Sequence, residues 1–259
     1  MRRVEALEKE VWGCSDLDVV PLTMLVATRE IGAVLIGAYD AGSLVGFVYG
    51  IPGFENGQSV HHSHMLAVKP AYRNFNLGFK LKMAQRERVL AQGINRVTWT
   101  FDPLQSVNAY FNFSKLGVIA DTYKINFYGE TTSSFLHQIG TDRLWVSWIV
   151  DSDRVWKKLE GQTQTSTQEH IPTLLQVGVG LRPQRNDKSE MLGGYSVSIE
   201  IPDDINTLQN HSPELAVHWR ESTRWAFTEA IAAGYIVEDF YRVRRGDSVG
   251  VYVLNQPKQ

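Results

Sequence analysis

His64-Met65-Leu66-Ala67-Val68-Lys69-Pro70-Ala71-Tyr72-Arg73-Asn74-Phe75-Asn76-Leu77-Gly78-Phe79 is the stretch on which the fold turns. Its first five residues form an apolar run closed by Lys69-Pro70, which reads as a buried strand. A helix is predicted from Leu77 to Ala91, with Gly93 just past its end. A strand that turns straight into a helix leaves backbone N–H groups free at the positive end of the helix dipole. That is an anion site suited to a pyrophosphate. Gly78 lets a ligand approach the backbone closely, and Arg73 adds a fork of charged donors. The same residues also read as a plain strand–loop–helix connection with a surface arginine.

Outward from this stretch, helices are predicted over 1–12 and 22–30, then a hairpin of 33–39 and 44–49 around Asp40-Ala41-Gly42-Ser43. Downstream come strand Arg96–Phe101, helix Ser106–Leu116 stopped by Gly117, strands Ile119–Tyr128 and Leu144–Val150, and helix Asp153–Leu159. Strands alternating with helices imply an α/β class. The polar run Gly161–Gln168 reads as a linker, so the domains are expected at 1–160 and 170–259, with 161–169 between them. Past it lie strands near 173–181 and 195–201, a helix 213–233 announced by Ser212, Pro213 and Glu214, and a hairpin 235–243/249–254. This makes a smaller α+β unit of β-β-α-β-β order.

The 259 residues carry 26 basic and 28 acidic side chains, a formal charge of −2, and are 43% hydrophobic. Such a chain can bury a real core, and it lacks the basic surface of a general nucleic-acid binder. Cys14 is the single cysteine, which excludes an intrachain disulfide or a thiolate zinc cage and fits a reducing compartment. There is no apolar run of membrane-spanning length and no apolar leader after Met1-Arg2-Arg3. The expectation is a soluble, cytoplasmic protein with no membrane and no nucleic-acid partner; its oligomeric state is left open.

The segment from Val68-Lys69-Pro70 through Arg73-Asn74-Phe75-Asn76-Leu77-Gly78 resembles the acyl-CoA-binding signature of the GNAT superfamily of N-acyltransferases, a strand ending in Val-x-Pro followed by Arg-x-x-Gly-x-Gly. Asn76 stands where that signature has its first glycine. Asn108-Ala109-Tyr110-Phe111-Asn112-Phe113-Ser114-Lys115-Leu116-Gly117 resembles the family's second signature helix. The resemblance implies a mixed, mostly antiparallel sheet flanked by helices, with acyl-CoA (acetyl-CoA or succinyl-CoA) as cosubstrate, no metal, and a small-molecule amine as acceptor. It implies that pantetheine pairs with backbone near Leu66 and Val68, where the strand at 64–68 would splay from the strand at 96–101, and that a strand N–H near Ala67 meets the oxyanion. The pyrophosphate would rest on amides of Asn74, Asn76, Leu77, Gly78 and Phe79 near Arg73, with Asn108 and Lys115 on the second helix.

For proton transfer, His64 falls where many members carry a glutamate base; His61, His62 and His64 also read as hydrogen-bonded strand residues. The family's tyrosine acid is replaced by Phe113, which leaves Tyr110 and Asp102 as substitutes, while Asp102-Pro103 equally reads as a turn before the helix. Trp99–Ser106, Tyr128-Gly129-Glu130, Thr141-Asp142-Arg143 and Ala216–Arg220 resemble a two-part bacterial GNAT group, some of whose members are associated with N-succinylamino acid racemases. Arg220 and Arg224, four apart on one helix, share a face and could hold a carboxylate, or pair locally with Glu221 and Glu229; Arg143 is a further anion-site candidate. The rival readings are a non-catalytic CoA-binding or regulatory module, a nucleotide-binding loop, and a zinc site on the histidines. The second lacks a Gly-Lys-Ser/Thr sequence, and the third lacks an obvious third ligand.

Overall fold

The computed structural model describes residues 1–129, 139–162, 171–245 and 247–257. They fall into two compact units, divided between Trp99 and Thr100.

In the first unit, α1 (Arg2–Trp12) and α2 (Leu22–Glu30) precede β1 (Val34–Asp40), β2 (Ser43–Glu55) and β3 (Gln58–Val68). A 3-10 turn (Pro70–Phe75) leads into α3 (Leu77–Ala91), and β4 (Arg96–Phe101) closes the unit with its first four residues. The strands run β1-β2-β3-β4, antiparallel except for the parallel β3–β4 pair. Val4 and Leu7 of α1 and Leu25 of α2 pack with Phe47, Tyr49, Met65 and Ala67, so the amphipathic helices cover an apolar sheet face.

The predicted hairpin forms, and β2 then runs on to a second one that the reading above does not contain. Its turn is Asn56-Gly57, both with positive φ (51° and 78°), as a tight right-twisted hairpin turn requires. The β2–β3 ladder carries a bulge. Tyr49 faces Met65 and Ile51 faces His62, so Gly50 alone opposes Ser63 and His64. A Cβ on Gly50 would run into His61 Nε2 and lie 2.7 Å from the carbonyl oxygen of His62, so only glycine fits.

In the second unit, α4 (Ser106–Ala109) continues as a π-helical segment (Tyr110–Leu116), followed by β5 (Ile119–Lys124), β6 (Arg143–Ile149) and α5 (Asp153–Leu159). Then come β7 (Thr173–Val177), β8 (Pro183–Arg185), α6 (Lys188–Met191), β9 (Ser196–Pro202), α7 (Ile205–His211), α8 (Pro213–Ala232), β10 (Ile236–Arg245) and β11 (Asp247–Asn255). The strand order is β6-β5-β10-β11-β9-β7-β8, with β7–β9 parallel and the other described pairs antiparallel. The expected β-β-α-β-β order therefore gains a short strand and two short helices.

The compact units also divide differently from the expected 1–160 and 170–259. Val237 of β10 pairs with Ala120 of β5, and the compact unit that holds the C-terminal strands already begins at Thr100. Most of the expected linker, from 163 to 169, lies outside the described residues.

Candidate active site

β3 ends at Val68, and Lys69 donates its backbone N–H to the carbonyl oxygen of Val45 (2.9 Å) before Pro70 starts the 3-10 turn. Asn76 then takes left-handed angles (φ 58°, ψ 22°) and opens α3. Asn tolerates that region better than other residues with a Cβ, so the turn keeps the glycine-like geometry despite the substitution. The first N–H groups of α3 have no acceptor within their own helix. At Gly78 an added Cβ would meet one atom, Leu66 Cδ2, at 3.9 Å. The protein's own packing does not require glycine here; the space above the first turn is open. Arg73 and Asn74 are exposed, Leu77, Gly78 and Phe79 half-buried, and Ala67 buried between half-buried Leu66 and Val68. The β3–β4 ladder holds His61↔Val97 and His62↔Thr98. Beyond His62, β3 has strand pairs only with β2 among the described residues.

The three histidines have distinct surroundings. His61 is fully buried and accepts from Gln85 Nε2 (3.2 Å), while His62 Nδ1 lies 3.1 Å from Thr98 Oγ1. Burial pushes both down to about 4, helped by nearby Lys82, so both are neutral at physiological pH. His64 has an exposed side chain beside the bulge, with its ring 6.4 Å from those of Tyr49 and His62. Enough protein surrounds it that desolvation lowers its pKa as well. Of the three, it alone is exposed. Among the described residues no group of three His, Cys, Asp or Glu side chains could hold a metal ion.

On the segment after α4 starts, Asn108, Tyr110 and Lys115 are exposed. Phe113 is fully buried, packed edge-on against Phe101 (6.2 Å) and Tyr252 (5.8 Å). Asp102 is 9% exposed; its Oδ1 accepts from the Leu104 N–H (2.9 Å) and its Oδ2 from Arg220 Nη2 (2.6 Å). Both oxygens are engaged in a turn and an ion pair.

The arginines are not partnered by their helix neighbours Glu221 and Glu229. Arg224 grips Asp142 with two bonds, Nε to Oδ2 (2.8 Å) and Nη2 to Oδ1 (2.9 Å). Asp142, with no exposed surface, also accepts from Tyr123 Oη (2.8 Å) and the Asn126 N–H (3.0 Å). Burial opposes its charge, but these donors outweigh it and its pKa is lowered. Arg143 donates to the Asp142 carbonyl oxygen (2.8 Å) and lies 5.2 Å from the Tyr128 ring centre.

A family model matches this stretch of sequence. Residues 4–117 match the acetyltransferase (GNAT) family. The GNAT fold is the mixed sheet with flanking helices described above. No protein of curated function matches the chain. Among solved structures, an aminoglycoside 6'-acetyltransferase type Ii is similar at 18% identity, covering 58% of this chain and 90% of that one, with a TM-score of 0.46. The ribosomal-protein-S18-alanine N-acetyltransferase from Escherichia coli is similar at 13% identity over 58% of this chain and 88% of its own, also with a TM-score of 0.46. A GNAT family acetyltransferase from Elizabethkingia anophelis with acetyl-CoA bound reaches 14% identity over 52% and 94%, with a TM-score of 0.39.

Around the GNAT signature, the sequence reading missed a polar network beneath β3. Lys82 of α3 is 2% exposed, and its Nζ donates to Ser63 Oγ (2.8 Å) and Gln85 Oε1 (3.1 Å) and sits 3.7 Å above the Trp99 ring. Ser63 Oγ donates to the same Gln85 oxygen (2.9 Å). The available signal was the spacing Lys82…Gln85, three apart on one helix face and turned inward.

Proposed function

We propose that this protein is an acyl-CoA-dependent N-acyltransferase that binds the donor where β3 passes into α3. The observation that carries this is Gly78: a glycine in the first turn of α3, two residues past the αL Asn76, where an added Cβ would meet only Leu66 Cδ2, at 3.9 Å. A pyrophosphate fits that space, held by the N–H groups of Leu77, Gly78 and Phe79, with Asn74 and Arg73 beside it. Pantetheine fits along the edge of β3 at Leu66, Ala67 and Val68, which pairs with no strand of the described set other than β2. Asn108 and Lys115 belong to the second signature and are assigned to the donor on that resemblance.

In the reaction the amine nitrogen attacks the thioester carbonyl carbon. A C–N bond forms and the C–S bond breaks; the amine gives up a proton and the departing thiolate takes one. His64 is assigned as base, directly or through water: it is exposed, and its lowered pKa keeps it neutral and able to accept. Tyr110, exposed on the signature segment, is assigned as acid in place of Phe113. Asp102 was the other substitute, and its two engaged oxygens favour a structural role.

The racemase-associated resemblance supports succinyl-CoA beside acetyl-CoA as donor and an amino acid as acceptor. Thiol release from each donor against pooled amino acids tests this. Faster release with succinyl-CoA is expected; equal or reversed rates remove the succinyl assignment and leave the enzyme class. Phe113 favours a second reading, a CoA-binding module without turnover. Donor binding with no thiol release across a broad amine panel would establish it.

A further inference from the structure

Arg220 is 2% exposed and fixed by two of its three guanidinium nitrogens. Nε donates to the Ile139 carbonyl oxygen (3.2 Å) and Nη2 to Asp102 Oδ2 (2.6 Å). Nη1 is buried and has no hydrogen-bond partner among the described residues. A buried donor without an acceptor is costly, and a charged one more so, which makes such an atom in a native structure a pointer to something that binds there. The spacing of Arg220 and Arg224 suggested two guanidiniums open to an external carboxylate. Arg224 is instead committed to Asp142 through two of its nitrogens, and the buried unpaired donor of the two arginines belongs to Arg220.

We propose that Arg220 Nη1, with Arg143 in electrostatic reach, is the charged end of a binding site for a small carboxylate. Arg143 is 7% exposed and near enough to Arg220 for the two charges to repel. Because Nε and Nη2 already hold the guanidinium in place, little side-chain freedom is lost when Nη1 takes a ligand. The single open N–H edge suits one oxygen of a planar carboxylate. Asp102 on the same guanidinium disfavours a doubly charged phosphate by repulsion. The assignment stands on this unit alone and does not depend on where the acyl donor binds.

The test is thermal unfolding of the full chain in formate and in acetate, against chloride at matched ionic strength. A saturable rise of a few degrees with the carboxylates and none with chloride is expected. Arg220→Lys keeps a positive charge for Asp102 and removes Nη1; it should weaken acetate binding at least ~10-fold. Equal rises with chloride, or equal acetate binding in Arg220→Lys, would overturn the proposal. Should that variant fail to fold, crystals of the wild-type chain soaked in acetate decide. A carboxylate within hydrogen-bond distance of Nη1 supports the site, and water alone or nothing at that position refutes it. Calorimetry with CoA on the same chain reports on the acyl-donor assignment separately.

Discussion

Beneath β3, the buried polar side chains are bases: His61 and Lys82, bridged by Gln85 to Ser63, with no carboxylate shifting their pKa among the described residues. Around α8 of the second unit, charged side chains are paired instead: buried Arg220 with Asp102, and half-buried Arg224 with buried Asp142. In the first cluster desolvation works against charge: it lowers Lys82 well below its usual value and holds His61 at about 4, so His61 is neutral at physiological pH. The second keeps its charges and offsets their desolvation with short, multiple hydrogen bonds. The two regions should therefore respond differently to lost partners and to acid.

The largest effect is expected where a charge loses its partner. Asp142→Ala leaves Arg224 facing a buried gap and strips acceptors from Tyr123 and the Asn126 N–H. It should lower unfolding free energy by about 3–5 kcal/mol in urea titrations. A loss below about 1 kcal/mol would place this pair with ordinary surface ion pairs.

Acid separates the two units next. His61 has a folded pKa of about 4, below its ordinary 6.5. The unfolded chain thus binds the proton more readily, and stability is full above 6.5 and declines as pH falls toward 4. His61 alone should account for about 3 kcal/mol of that loss. Asp142, lowered from 3.8, loses its contribution only below that value. Hydrogen exchange at pH 5 should show amides of β3 opening before those of α8; the reverse order would refute the assignment of a neutral, buried His61 to the first unit.

A smaller effect is expected from Phe113→Tyr, which restores the residue type of the family signature. Phe113 has no exposed surface and packs between Phe101 and Tyr252. A hydroxyl added there should cost about 1–3 kcal/mol and bring no gain in turnover. A gain in thiol release would reassign Phe113 to the reacting groups.

How far these regions could be read from sequence follows the distance over which their contacts act. The strand–loop–helix at 64–91, the first hairpin and α8 are written in local signals: Pro70, Gly78, Asp40-Ala41-Gly42, and Ser212-Pro213-Glu214. The Asn56-Gly57 turn is an equally local signal, but residues 58–63 of β3 are largely polar and lack the apolar run that marks His64–Val68 as a strand. The ion pairs were not legible. Arg220 finds Asp102 118 residues away and Arg224 finds Asp142 82 away, whereas spacing on the helix offered only Glu221 and Glu229. The division of units after Trp99 was hidden for the same reason, since the β5–β10 pairing joins distant segments while the polar run near 161 is a purely local cue.

The central claim is that acyl-CoA binds over the first turn of α3, and calorimetric titration of CoA into the wild-type chain and Gly78→Ala tests it most directly. Alanine suits a helix better than glycine by up to about 1 kcal/mol, so the variant should fold at least as stably. The account predicts saturable CoA binding by the wild type and an affinity at least ~10-fold weaker in Gly78→Ala, because the added methyl group occupies the ligand's space. No heat at millimolar CoA, or equal binding by the two proteins, would contradict it.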